Sequence, residues 1–290
     1  MKQINYSMGL PRSGTTLLMN IIQQNPKIFT TATCPTPYFV SSAKETAQNV
    51  SECIAMDQDQ LNKCCSTFLQ YGIQGWFSAL TDKPVVFTKS RPWAEHLDTI
   101  FSLNDNSKVL VILRDLRGII NSFEKLLNKY TIWDPSFEGK KLRHTSIDER
   151  IKNYCLDNSG NLGRPLSFLP LVYEISTKRP DNFYFLRIED FSNNPQGTMD
   201  SIYRWLGMET FQHDLNNIKQ STQFEHDTIY RSLVSHKTEG NFTPHSFTSQ
   251  NQLTMEQNYA IILNNQWYYS TFYPEIYNEF TKLYPTSGSK

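Results

Sequence analysis

Surplus charge of either sign is missing from this sequence: 28 Lys and Arg residues balance 28 Asp and Glu over 290 residues. The basic excess that marks a nucleic-acid binder is therefore missing too. No apolar run approaches the roughly 20 residues that a membrane span needs. The first strand-like segment starts at Ile4, which leaves no room for a leader peptide. These absences predict a soluble, cytoplasmic protein with neither nucleic acid nor membrane as a partner. Cysteine is sparse, and Cys34, Cys53, Cys64, Cys65 and Cys155 form no C-x-x-C pair. An odd, scattered set suits reduced thiols in a reducing compartment better than a disulfide framework or a zinc site. Internal repeats and low-complexity tracts are also lacking.

What remains is an alternation of strands and helices. Ile4–Met8 reads as a short strand, followed by the apolar helical run Thr16–Ile22. Polar helical stretches follow from about 39 to 71. Val85–Thr88 is a strand, with a helix from near Pro92. Val109–Leu113 is a continuous apolar run of the kind that buried parallel sheets use. A helix from Leu116 to Lys129, a strand at Phe183–Leu186 and helices at about 196–206 and 255–282 complete the pattern. It predicts an α/β fold, a three-layer α/β/α arrangement around a central parallel sheet. We expect one domain over 1–290, with loop-rich insertions near 131–180 and 208–250.

Between the first strand and helix lies Gly9-Leu10-Pro11-Arg12-Ser13-Gly14-Thr15-Thr16. It has the glycine spacing of a phosphate-cradling P-loop, yet Thr15 stands where a nucleoside triphosphatase places its lysine. The cation has moved into the loop, to Arg12. Two glycines permit a tight turn that aims amides inward, and the next helix adds the positive end of its dipole. The guanidinium of Arg12 supplies a planar fork suited to two oxyanions. A second constellation is Arg114, at the carboxyl end of the most apolar strand, with Ser122 eight residues on. Open α/β sheets bind ligands at that edge, and the pair could hold a second phosphate.

In combination these segments resemble sulfotransferases that use 3′-phosphoadenosine 5′-phosphosulfate (PAPS). Pro11–Leu17 is similar to the family's 5′-phosphosulfate loop, in the arginine form of the tyrosylprotein and bacterial branches. Arg114 and Ser122 resemble its 3′-phosphate pair, and Phe87–Pro92 resembles the strand-end segment whose lysine, here Lys89, assists transfer. Leu186–Pro195 with Ile202–Gly207 is similar to a later family stretch. The resemblance implies PAPS as donor, adenosine 3′,5′-bisphosphate (PAP) as product and no metal. Arg12, Ser13, Gly14, Thr15 and Thr16 would offset leaving-group charge, with Lys89 at the transferred oxygens. Arg231 and Lys237 lie where family members bring a basic loop over the 3′-phosphate.

Two departures stand out. Arg91 occupies the position of the base histidine in the cytosolic enzymes, and arginine is no base at ordinary pH. Ile188 replaces a tyrosine often used near the nucleotide. The acceptor-activating base is open among His96, Glu95 and Glu45, in that order. The acceptor is a small molecule, glycan or peptide bearing a hydroxyl or amine. Two alternatives stand beside this reading: a P-loop kinase acting on a small molecule, and a catalytically inactive nucleotide-binding protein. Neither the general base nor the oligomeric state is legible here.

Overall fold

The computed structural model describes residues 1–129, 145–158, 160–220, 238, 240–244 and 253–283. Its sheet has five parallel strands: β1 (Gln3–Gly9), β2 (Ile28–Thr30), β3 (Val85–Lys89), β4 (Val109–Leu113) and β5 (Phe183–Arg187), in the order β2-β3-β1-β4-β5. Helices cover both faces, as the alternation of elements predicts. Side chains alternate between those faces as a pleat requires. Ile4, Tyr6, Met8, Val86, Val109 and Val111 point into one apolar layer, and Val85, Phe87, Leu110, Ile112 and Leu186 into the other. The second layer is filled by Leu18, Met19, Ile21 and Ile22 of α1 (Thr15–Ile22) and by the helix Pro195–Leu206.

In strand β1 the polar Asn5 and Ser7 alternate with Ile4, Tyr6 and Met8. Both are nevertheless buried, and only Gln3 at its start is exposed. The strand order explains why. From β1 the chain first builds outward to β2 and β3, and then crosses back over β1 to add β4 and β5. The central strand is thus also the point where the winding reverses, and a ligand crevice opens there beyond the carboxyl ends.

Several boundaries differ from the sequence reading. The polar helical region resolves into α2 (Thr36–Asn49), α3 (Ser51–Ile54) and α4 (Gln58–Leu80). The last runs nine residues past the expected stop at 71. Gly72 and Gly75 weaken the helical signal there, but the buried stripe Leu61, Leu69, Ile73, Phe77 carries the helix through. Strand β2 is too short to show periodicity. The segment expected to be loop-rich near 131–180 holds two helices, Ile147–Leu156 and Gly163–Lys178. The second contains Pro170 and still persists, because Leu166, Leu169 and Val172 bury one face. The single helix expected at 255–282 is three, Met255–Asn264, Gln266–Phe272 and Pro274–Leu283. The helix near Pro92 begins as a 3-10 turn, Arg91–Glu95, before α5 (Leu97–Leu103). The helix α6 (Leu116–Lys129) has the bounds read from sequence.

Candidate active site

The loop after β1 is shaped by two glycines with different tasks. Gly9 lets β1 and β4 approach: a Cβ there would stand 2.5 Å from the Ile112 carbonyl oxygen. Gly14 adopts a left-handed backbone (φ 74°), and a Cβ on it would meet Ile188 Cδ1 at 2.8 Å. Arg12 is also left-handed, at φ 59°, which costs an L-residue about 1 kcal/mol. Ser13 Oγ closes the turn by donating to the Leu10 carbonyl at 2.6 Å. Helix α1 then starts with no side-chain cap and no acidic residue in its first turn. Thr15 and Thr16 lie in that turn, where amide donors and the dipole favour an anion.

The neighbouring strand delivers the second cation to the same place. Arg114 follows directly on β4, and its Nη1 donates to the carbonyl of Arg12 at 2.5 Å. Arg12 Nε in turn donates to Ser122 Oγ on α6 at 3.1 Å. The loop is therefore joined by hydrogen bonds to a strand end and a helix that lie 102 and 110 residues further along the chain, at the winding reversal. Burial pulls the Arg114 guanidinium down from its usual value, while Glu189 and Asp115 hold it up.

Behind Arg114 lies a cluster of acids and phenols. The Asp115 carboxylate is gripped by Arg117, with Nη2 to Oδ2 at 2.5 Å, and accepts from Tyr269 Oη at 2.9 Å. The Asp115 N–H donates to Glu189 Oε1 at 3.0 Å, and Glu189 Oε2 accepts from Tyr273 Oη at 2.9 Å. Burial raises the Glu189 carboxyl above the ordinary range, against the pull of those hydrogen bonds. Tyr268 Oη donates to the Arg114 carbonyl at 2.8 Å. The sequence reading took the aromatic run Trp267–Tyr273 as packing. It is packing, with Tyr268, Tyr269 and Tyr273 buried, but its hydroxyls also meet the groups that frame Arg114. An outsized share of tyrosine over phenylalanine in that run was the available signal.

On the other flank of β1, Lys89 ends β3 level with Ser7. Its Nζ donates to the Ala32 carbonyl at 2.5 Å, and its backbone N–H to Thr31 Oγ1 at 2.9 Å. The residues named as possible bases lie further along. Glu95 is held bidentately by Arg164, at 2.9 and 2.7 Å. His96 is only 6 % exposed, and its Nε2 lies 3.0 Å from Ser41 Oγ on α2. Burial first, and then Lys44, lowers its pKa below the usual imidazole value. Glu45 is exposed on α2. Arg91 reaches the Asn161 carbonyl at 3.3 Å. Arg231 and Lys237 lie outside the described residues. Among the described residues no group of His, Cys, Asp or Glu could hold a metal ion, and no helix is long and apolar enough to cross a membrane.

Residues 7–213 match the model of the sulfotransferase family. The fold is similar to the sulfotransferase domain from the curacin biosynthetic pathway, at TM-score 0.53 and 14 % identity over 93 % of this chain and 97 % of that one. It is similar to mouse sulfotransferase SULT7A1 complexed with PAP, at TM-score 0.52 and 11 % identity over 97 % and 88 %. The sulfotransferase domain of the Synechococcus PCC 7002 olefin synthase aligns at TM-score 0.50 and 14 % identity over 92 % and 95 %. No curated protein sequence matches this chain.

Proposed function

This chain belongs to the sulfotransferase family, and on that premise we propose that it moves a sulfonate from PAPS to a hydroxyl or amine of a small molecule, glycan or peptide. The observation that carries the donor assignment is the bonded set Arg12, Ser122 and Arg114. Two cationic forks stand side by side at the crevice, and one of them lies inside a loop that precedes a helix N-terminus. A 5′-phosphosulfate and a 3′-phosphate are two anions on one nucleotide, and each guanidinium offers a planar fork to one of them. A kinase needs an amine at position 15, and the family match does not favour that alternative.

In this reading the amides of Ser13 and Gly14, the hydroxyls of Thr15 and Thr16 and the Arg12 guanidinium take up the charge that builds on the leaving phosphate. Lys89 meets the transferred oxygens after leaving the Ala32 carbonyl. The sulfonate passes in line from the phosphate oxygen to the acceptor oxygen or nitrogen, which loses a proton. His96 ranks first to receive that proton, because its lowered pKa keeps it neutral, in the basic form, at neutral pH. Ser41 is exposed and its Oγ lies 3.0 Å from His96 Nε2, and in this reading it relays the proton to the ring. Glu95, paired to Arg164, and Glu45 rank behind it. Arg231 and Lys237 are assigned to the 3′-phosphate.

Calorimetry decides the donor. PAP is expected to bind at least tenfold tighter than AMP, the loss of one charge-assisted contact, and equal affinities refute the assignment. Transfer of labelled sulfate from PAPS to any member of an acceptor library then excludes the inactive nucleotide-binding alternative.

A further inference from the structure

The peptide unit joining Arg114 to Asp115 is held by side chains at both polar ends. Its carbonyl accepts from Tyr268, and its N–H donates to Glu189, which is itself fixed by Tyr273. Tyr269 differs: it reaches the Asp115 carboxylate and not the peptide. The unit lies just past Leu113, the last residue of β4 in register with β5, so the sheet ladder no longer sets its plane. Burial raises all three phenols well above their ordinary range, and they remain protonated donors.

A buried tyrosine needs some partner for its hydroxyl, and any nearby carbonyl satisfies it. Here, however, one phenol bonds the carbonyl end of the peptide and a second fixes the carboxylate that holds its N–H end, and that peptide carries the Cα of Arg114. Turning its plane swings a long side chain whose tip must stay on the Arg12 carbonyl. We propose that Tyr268 and Tyr273 are positioning residues, which aim Arg114 so that the site selects a nucleotide carrying a second phosphate. Neither touches the nucleotide; both act through the 114–115 peptide. The inference rests on the assignment of Arg114 to the 3′-phosphate.

The test compares affinities for PAP and AMP in the full chain and in the variants Tyr268→Phe, Tyr273→Phe and Tyr269→Phe. Phenylalanine keeps the ring, and a ratio of two affinities measured on one sample does not depend on the fraction folded. The preference for PAP is expected to fall about tenfold in Tyr268→Phe and Tyr273→Phe, as for a lost buried hydrogen bond. It should hold in Tyr269→Phe, even where all three melt earlier. A full preference in the first two variants overturns the proposal, and so does an equal fall in all three, which would mark general loosening. If the unaltered chain shows no preference, the assignment of Arg114 itself fails and takes this inference with it. A preference present in the parent and kept in the variants sinks only the positioning role.

Discussion

The two flanks of β1 differ in how their functional groups are held. On the β4 side, Arg12, Ser122, Arg114, Asp115 and Glu189 form one connected network, closed from behind by three phenols. On the β3 side, the groups answer to separate neighbours: Lys89 to the Ala32 carbonyl and the Thr31 hydroxyl, Glu95 to Arg164 and His96 to Ser41. In the proposed reading the β4 flank holds the donor in a preorganised cradle, whereas the β3 flank, facing the acceptor, leaves room for side chains to be rearranged. The contrast teaches that nucleotide affinity and transfer rate should be separable by mutation.

The strongest test of that separation is Lys89→Ala. Turnover is expected to fall by about 10²–10³, the cost of removing one transition-state donor, while calorimetric PAP affinity stays within about threefold. A matching loss of affinity would merge the two flanks and break the comparison. Gly9→Ala attacks the cradle instead, because its Cβ collides with backbone at Ile112. Urea denaturation should show about 3 kcal/mol of lost stability, and stability unchanged from the parent would mean that β1 and β4 tolerate a wider gap.

Acid distinguishes the flanks in another way. His213 is buried, stacked on Tyr203 with Nε2 3.1 Å from its hydroxyl, and burial pushes its pKa down to about 4. The neighbouring Asp214 N–H is bonded to Gln24 just beyond α1, so this segment is tied to the helix that follows the loop. The folded form keeps the imidazole neutral, while the unfolded chain binds a proton below about pH 6.5. Stability conferred by neutral His213 is thus complete above that pH, declines as pH falls toward 4 and is flat below. The loss is on the order of 3 kcal/mol, and melting curves of His213→Gln should show a shallower slope across that window. An identical slope removes His213 as the cause.

The smallest effect is a control remote from both flanks. Gly75 lies inside α4 with open space where a Cβ would go. Gly75→Ala should raise stability by about 0.5–1 kcal/mol and change neither affinity nor rate. Changes in either would extend the site to α4.

Legibility in the sequence followed the same divide. The phosphate loop is contiguous, its glycines are required by backbone geometry, and Arg114 and Ser122 share one strand–helix unit. These features, and the parallel sheet, show in local spacing and hydrophobic runs. The bond from Tyr268 to Arg114 spans 154 residues, the Glu95 pair 69 and the His96 pair 55. No periodicity in one sequence reports such meetings. The helix Gly163–Lys178 is hidden for another reason: Pro165 and Pro170 weaken its local helical signal, and its tertiary burial outweighs them.

The 154-residue span between Arg114 and Tyr268 also has a consequence in time. At synthesis rates of about 5–20 residues per second, it takes on the order of 8–30 s to make. During that interval the emerging chain already carries the loop, β4 and α6, but not the tyrosines that brace the 114–115 peptide. The part of the molecule most compactly written near the start is therefore among the later parts to be finished, and the 114–115 peptide is braced only when the helix Gln266–Phe272 docks.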